Sequence, residues 1–561
     1  MTRFLAVLLV GVTVAACASD PEPGSGGGGP TTPAQSGGVF TVALPSYPER
    51  GLSPHNGAAF DASQVLRNSY DSLISEDRSE KFHPWLASSW SVSPDGLTYD
   101  FTLRDDVTFH NGEKFDAAAV KKNIDLLRDP ANPTWTVLGL LQYSSVSAVD
   151  VLEPYKVRIS LSTPRADFLS TLAGLSGAIV APSTLTGDKQ ALTSGAGFVG
   201  SGPFVLEKAI QGQELRFRKN PAYNWGPATA KHRGAAYVDN LVVKYVSEAS
   251  TRAGLLRSGE VDAVGTVDAN DIALFKGVNG FQYEQIGSAA SPTVIMLNLT
   301  HGPTTDVRVR KAITQGVDIA AVVKSLTKDS QQRAWSLIAP DSAYFDAKYD
   351  NRGTADVAAA KSLLEQAGWT GKDAEGYRTD GSGKRLRVRL LATNPTYPLD
   401  DFLKAWQAEL RQNLGIQVEL QFVENAQVYD LLAKNDYEAF PRQVGGLDLS
   451  LQFNRAYGST SPDLKYGQID GITIGSIVAG SKLANPEVDK WLVDATKISD
   501  PARRKQLFDN ITGYLLDNAV AIPLYTDRNS LAARSTVHNV STLFDAPRNS
   551  VNSWAYDIAV R

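Results

Sequence analysis

The side chains that most often do chemistry are sparse and dispersed in this chain. Six histidines, His55, His83, His110, His232, His301 and His538, are scattered, and no two stand four residues apart to nominate a metal site on one helix face. Each reads as a surface or hydrogen-bonding histidine. There is no Gly-x-Ser-x-Gly nucleophile elbow, no His-Glu-x-x-His, no phosphate loop ending in Gly-Lys-Ser/Thr and no EF-hand loop. Asp and Glu together number 60, so a glycosidase pair could be assembled in space, yet no spacing singles one out. One cysteine, Cys17, excludes disulfide scaffolds, iron–sulfur clusters and thiolate zinc sites. These residue types support binding without a catalytic group, a cofactor or a resident metal.

Lys and Arg number 55, giving a formal net charge of −5, so the basic excess that marks nucleic-acid binding is missing. At 561 residues, with 43% hydrophobic and 20% charged, the chain suggests two to four globular domains. Its first 16 residues are a different matter. Arg3 is followed by the apolar run Phe4 to Ala16, too short for a bilayer span of about 20 residues and suited to a secretory signal. The run ends Val14-Ala15-Ala16-Cys17, which resembles a bacterial lipoprotein signal, so residues 1–16 are expected to be removed and Cys17 lipidated. Residues 17–38, rich in Gly, Ser and Pro, form a tether with a reach on the order of 25 Å. No other stretch is as apolar, which implies a chain anchored to the membrane and not spanning it.

The body alternates strand and helix signals. Tyr99, Phe101 and Leu103 alternate with polar residues, as do Val157, Ile159 and Leu161, and Val418, Leu420 and Phe422. Leu399, Phe402, Leu403, Trp406, Leu410 and Leu414 fall at helical spacing before Gly415, a stop signal, and Trp406 on that stripe reads as core. A second helix runs from Asp356 to Ala367 before Gly368. Asp500-Pro501 opens a third, with Leu507, Phe508, Ile511 and Leu515 on one face. The pattern is that of a large α/β protein without internal repeats.

Residues 82–128 carry more specific information. They read Phe82-His-Pro-Trp-Leu-Ala-Ser-Ser-Trp90, Ser93-Pro-Asp-Gly96, Thr98 to Arg104, Val107-Thr-Phe-His-Asn-Gly112, Phe115-Asp-Ala117 and Val120-Lys-Lys-Asn123. This stretch resembles the family 5 solute-binding proteins of ABC importers, which include oligopeptide-, dipeptide- and nickel-binding lipoproteins. Further elements similar to the family follow in order: Gly200-Ser-Gly-Pro-Phe204, Asn220 to Trp225, Gly259-Glu-Val-Asp262, Val294 to Asn298, Asp306 to Arg310, Asn485 to Asp489 and Ile522-Pro-Leu-Tyr525. The resemblance implies an α/β, two-lobed periplasmic-binding-protein clamshell (type II-like) with an inserted subdomain in the first lobe. Lobe I would comprise residues 39–290 plus 523–561 and lobe II residues 291–522, with crossings near Ile286–Thr293 and Asn518–Tyr525. It also implies a monomer that closes on its ligand and docks on an ABC permease driven by an ATPase.

Ligand contacts follow only by that resemblance. Peptide-binding members hold the peptide main chain by hydrogen bonds and set a carboxylate, usually in an Asp-Pro-Asp-like stretch, against the α-ammonium. The corresponding region here runs Phe440-Pro-Arg442-Gln-Val-Gly-Gly-Leu-Asp448, without the following Pro-Asp. Asp448 is the positional match for pairing with an amine, and Arg442 could hold a carboxylate or phosphate. The plainer alternatives are a loop-capping aspartate and a surface arginine. Tyr47 after the first strand could form an aromatic wall, and Asn394 in a second-lobe loop a polar contact. The nickel-binding branch is echoed at Val120 to Asp125, but its Arg-x-x-His-Ala-Trp-like segment is replaced by Asp129 to Trp135, leaving Trp135 as a pocket candidate. Di- or oligopeptides are thus the expected ligand. The alternatives are nickel or another metal chelate, or a non-transport lipoprotein with a degenerate cleft.

Overall fold

The computed structural model describes residues 36–48, 51–55, 65–129, 142–185, 197–287, 291–393, 398–443, 448–459, 468–469, 472–473, 480–544 and 554–561. The strand β1 (Val39–Leu44) turns Phe40, Val42 and Leu44 toward one apolar core and Ala43 toward another, where it meets Ala253 and Leu256. A strand buried on both faces belongs in the middle of a sheet, and β1 pairs in parallel with β2 (Asn240–Tyr245) and β3 (Ala263–Gly265). Beyond β2 lies the hairpin Glu214–Lys219/Phe204–Ile210. Near the other end runs β4 (Phe281–Gly287).

The segment carrying the family resemblance supplies the first two strands of a separate four-stranded antiparallel sheet, in the spatial order Ala87–Val92, Thr98–Leu103, Lys156–Leu161, Val146–Glu153. Tyr99, Phe101, Leu103, Val157, Ile159 and Leu161 are all buried, as their alternation predicts. The helix α1 (Ala117–Arg128) starts where the Asp116 side chain accepts from the Ala119 amide at 2.8 Å. Two of the family-like elements touch. His110 donates its amide to the Gly200 carbonyl at 2.9 Å, and its Nε2 lies 3.0 Å from the Gly202 carbonyl. Gly200 has no room for a side chain, because a Cβ there would lie 1.8 Å from the Ser69 carbonyl oxygen. Between the two glycines, Ser201 donates to the buried Asp71 carboxylate at 3.0 Å, which also accepts from the Trp225 indole at 3.0 Å.

After Gly287 the chain enters a second sheet. Its strands are β5 (Thr293–Leu297), β6 (Arg387–Thr393), β7 (Gln417–Val423), β8 (Ala439–Arg442) and β9 (Ala521–Thr526), in the spatial order β9-β5-β8-β6-β7 with Gln332–Arg333 outside β9. The helix α2 (Leu399–Leu414) buries Phe402, Leu403, Trp406, Leu410 and Leu414 against this sheet, and Gly415 ends it in the left-handed region at φ 69°. β7 is the edge strand of this sheet among the described residues, and Phe422 is 39% exposed although it continues the Val418, Leu420 alternation. A further layer of α3 (Leu449–Tyr457), α4 (Pro486–Lys497) and α5 (Pro501–Asp517) closes on its own core of Phe453, Leu492, Phe508 and Leu515. The last long strand, β10 (Arg528–Arg534), returns to the first sheet between β4 and β3.

The return falls at Asp527, later than the expected Asn518–Tyr525. Residues 523–526, assigned by sequence to the first lobe, instead pair within the second sheet, where Tyr525 stands opposite Thr293 and Pro523 opposite Val294. The register shift between those pairs lets a proline sit inside the strand. Among the described residues, no helix is long and apolar enough to cross a membrane.

Candidate functional site

Strand direction fixes which parts of the two sheets meet. In the first sheet β1, β2 and β3 are parallel, and β4 shares their direction because both β3 and β4 are antiparallel to β10. Their carboxyl ends and the amino end of β10 therefore share one edge. In the second sheet β6, β7 and β8 are parallel, and β5 is antiparallel to both β8 and β9. The carboxyl ends of β6 to β9 and the amino end of β5 therefore share one edge as well. The chain leaves the first of these edges after Gly287 and reaches the second at Thr293. It returns from Thr526 to Arg528 through the single residue Asp527. The two carboxyl edges are thus joined at both crossings, which is where open α/β sheets take up ligands.

The sequence candidates fall unevenly on this frame. Tyr47 lies just past the end of β1 and packs edge-on against Tyr245, the last residue of β2, with ring centroids 5.0 Å apart. Burial raises its phenol above the ordinary range. Arg442 is the last residue of β8, opposite Val294, and lies near Tyr457 of α3. Asn394 would follow Thr393, the end of β6 on the same edge, but Asn394, Trp135 and Cys17 lie outside the described residues.

Asp448 is placed differently from what pairing with a ligand amine requires. It is 1% exposed and caps α3. Its carboxylate accepts from Arg504 Nη2 at 2.8 and 2.7 Å, from the Ser450 amide at 2.7 Å, and from the Ser450 hydroxyl. Three of these bonds fall on Oδ1 and one on Oδ2, so the carboxylate is engaged within the protein. Arg504 is also held by the Tyr344 hydroxyl at 2.9 Å and lies over the rings of Tyr344 and Phe508. Burial alone would lower the Arg504 guanidinium, but the neighbouring Asp448 outweighs it and holds the group charged. Asp448 thus stands as a helix cap in a buried ion pair with Arg504.

Other residues, not singled out by the sequence, tie this region together. The Ser291 amide and hydroxyl, on the outgoing crossing, donate to the Gln452 side-chain oxygen of α3 at 3.2 and 2.5 Å. Arg78 donates to the Gly287 carbonyl at 3.0 Å. From the first body, Arg165 feels the Asp448 charge, and the neighbouring Ala166 amide donates to the Thr496 carbonyl of α4 at 2.8 Å. On the return crossing, the half-buried Asp527 carboxylate accepts from the Gln443 side-chain amide at 2.7 Å. The one signal for it in the sequence is an acidic residue directly after the apolar Ala521 to Tyr525. Among the described residues, no group of three or more His, Cys, Asp or Glu is placed to hold a metal ion.

Comparison with known proteins places these features in a family context. Residues 81–461 match the model for bacterial extracellular solute-binding proteins, family 5 Middle. The chain is 27% identical to the nickel-binding periplasmic protein of Escherichia coli (strain K12), over 84% of this chain and 87% of that protein. It is 25% identical to the glutathione-binding protein GsiB of Escherichia coli O1:K1 / APEC, over 85% and 87% respectively. The crystal structure of NikA from Brucella suis in complex with Fe(III)-EDTA superimposes with a TM-score of 0.76 at 25% identity, covering 93% of this chain and 100% of that one. The stretch from Phe82 to Arg128, which carries the sequence resemblance, lies within the matched span, and the mixed α/β fold is that of the solved relatives.

Proposed function

This chain belongs to the bacterial extracellular solute-binding proteins, family 5, and from that premise we propose that it captures small peptides outside the cytoplasmic membrane and delivers them to the permease of an ABC importer. Its part in the importer is binding, with no turnover of the solute. The observation that carries the peptide reading is the joining of two carboxyl edges at two crossings, with Arg442 and Asp527 on the same edge of the second sheet. A zwitterion bearing an ammonium and a carboxylate suits such an edge. The relative that binds glutathione, itself a small zwitterionic peptide, supports the same class of ligand.

In this reading residues 39–287 with 528–561 form one lobe and residues 293–526 the other, and closure turns about the Gly287–Thr293 and Asp527 crossings. Cys17 carries the lipid, and residues 17–38 let the binding body move at the membrane surface. Capture of nickel or another metal chelate is the second reading, favoured by the 27% identity to a nickel-binding protein. The metal would then enter inside its chelate, since the described residues bring no metal-holding cluster together.

Uptake by intact cells separates the two. Deleting the gene is expected to abolish uptake of a radiolabelled tripeptide and to leave nickel uptake unchanged. Loss of nickel uptake with peptide uptake intact would replace the first reading by the second.

A further inference from the structure

Resting on the peptide reading above, we propose that Asp527 is the anion that receives the α-ammonium of the ligand, with Gln443 orienting it, and that this role does not belong to Asp448. The argument begins with position. Asp527 is the whole of the return crossing, between the carboxyl end of β9 and the amino end of β10, so its carboxylate stands where the two edges join. Gln443 follows the carboxyl end of β8, in the stretch of sequence that runs to Asp448. That stretch of sequence is the one in which resemblance expects the ammonium-binding carboxylate. The charge is supplied at the same place but from the neighbouring crossing.

Partners give the second line of argument. Among the described residues Asp527 forms no ion pair, and its hydrogen bond is to a neutral amide, Gln443 Nε2 on Oδ2. The adjacent Arg528 is engaged elsewhere, its Nη2 donating to Gln332 Oε1 at 3.0 Å and its amide to Gln331 Oε1 at 2.9 Å. Two buried carboxylates elsewhere in the chain do have cations. Asp448 has Arg504, and Asp167 has Arg165 with Nε at 2.9 Å from Oδ1. Partial removal of a carboxylate from water without a counter-charge has a cost, and burial accordingly raises the half-buried Asp527 carboxyl above its usual range, with the Gln443 bond opposing it.

An ammonium repairs that cost. It brings three donors, and the site offers Asp527 Oδ1 together with the Gln443 side-chain oxygen, whose amide nitrogen is already committed to Oδ2. A neutral or acetylated terminus offers no such compensation.

The test uses the full chain in detergent, wild type and Asp527→Asn, with an equimolar pool of tri- and tetrapeptides and the same pool N-acetylated. Capture is read by native mass spectrometry, and affinity for the most captured peptide by calorimetry. Wild type is expected to take the free-amine pool and refuse the acetylated one, and Asp527→Asn to lose about 10- to 100-fold in affinity. Its urea midpoint should be unchanged or higher. Equal capture of both pools by wild type, or a folded Asp527→Asn within about twofold of wild type, would overturn the assignment while keeping the peptide reading. Capture of neither pool by wild type would overturn the peptide reading and this assignment together.

Discussion

Arg504 Nη2 bonds both carboxylate oxygens of Asp448, at 2.8 and 2.7 Å, although the two residues are 56 positions apart and each is at most 5% exposed. The pair joins the start of α3 to the first turn of α5 and fixes the helix layer beside the second sheet.

Removing one member should strand the other. Asp448→Ala is expected to cost about 3–5 kcal/mol in urea unfolding, and adding Arg504→Met should recover part of that loss, because a buried charge without its partner is worse than neither. Strictly additive costs would show that the two side chains do not act as a unit.

Two glycine substitutions should move stability in opposite directions. Gly200→Ala places a methyl 1.8 Å from the Ser69 carbonyl oxygen, a backbone atom, and should destabilise by more than about 3 kcal/mol or prevent folding. Gly254→Ala lies inside the helix Ala249–Ser258 with nothing within 4 Å of the new methyl, and should stabilise by about 0.5–1 kcal/mol. Thermal unfolding of both variants beside wild type settles the order.

Titration of buried groups gives a signed pH dependence. Burial holds His55 and His110 down to about 4, with their carbonyl partners Ala178 and Gly202 opposing the shift. The unfolded imidazoles protonate from about 6.5, so stability present above that pH is lost on acidification until about pH 4. Asp71 runs the other way, pushed up to about 7 mainly by burial, so the folded state keeps its proton and gains stability as pH falls from 7 toward 4. His110→Gln should therefore be more favourable relative to wild type at pH 5 than at pH 7.5, and Asp71→Asn less favourable. Urea midpoints at the two pH values read both differences, and equal differences at both pH values would contradict the shifts.

Cys17→Ala should release the mature chain from the membrane fraction, because no other stretch of the sequence is as apolar as Phe4 to Ala16. Fractionation of cells measures it on chains shown by mass to lack residues 1–16, and full membrane retention of such a cleaved variant would rule out the lipid as anchor.

Local patterns made much of the fold legible. The stripe from Leu399 to Leu414 ends at Gly415, and Asp500-Pro501 opens α5, because caps, proline and helical spacing act over a few residues. The family-like stretch 82–128 identified the fold because its turns and strands keep their order along the chain. What depended on distant neighbours was not legible. Phe422 alternates like a buried residue, yet among the described residues β7 has no strand beyond it. Asp448 has the position of a ligand contact in sequence, but its partner on α5 is a long way along the chain. Asp527 was not legible either, because its place between two sheets depends on the whole fold and one acidic residue after an apolar strand carries no pattern.

The most direct measurement is native mass spectrometry of the full chain, purified in detergent without denaturation, for ligand carried through purification. A heterogeneous series of added masses matching short peptides is the expected result. A single discrete mass that contains metal or no peptide would contradict the peptide reading while leaving the chain a solute-binding protein.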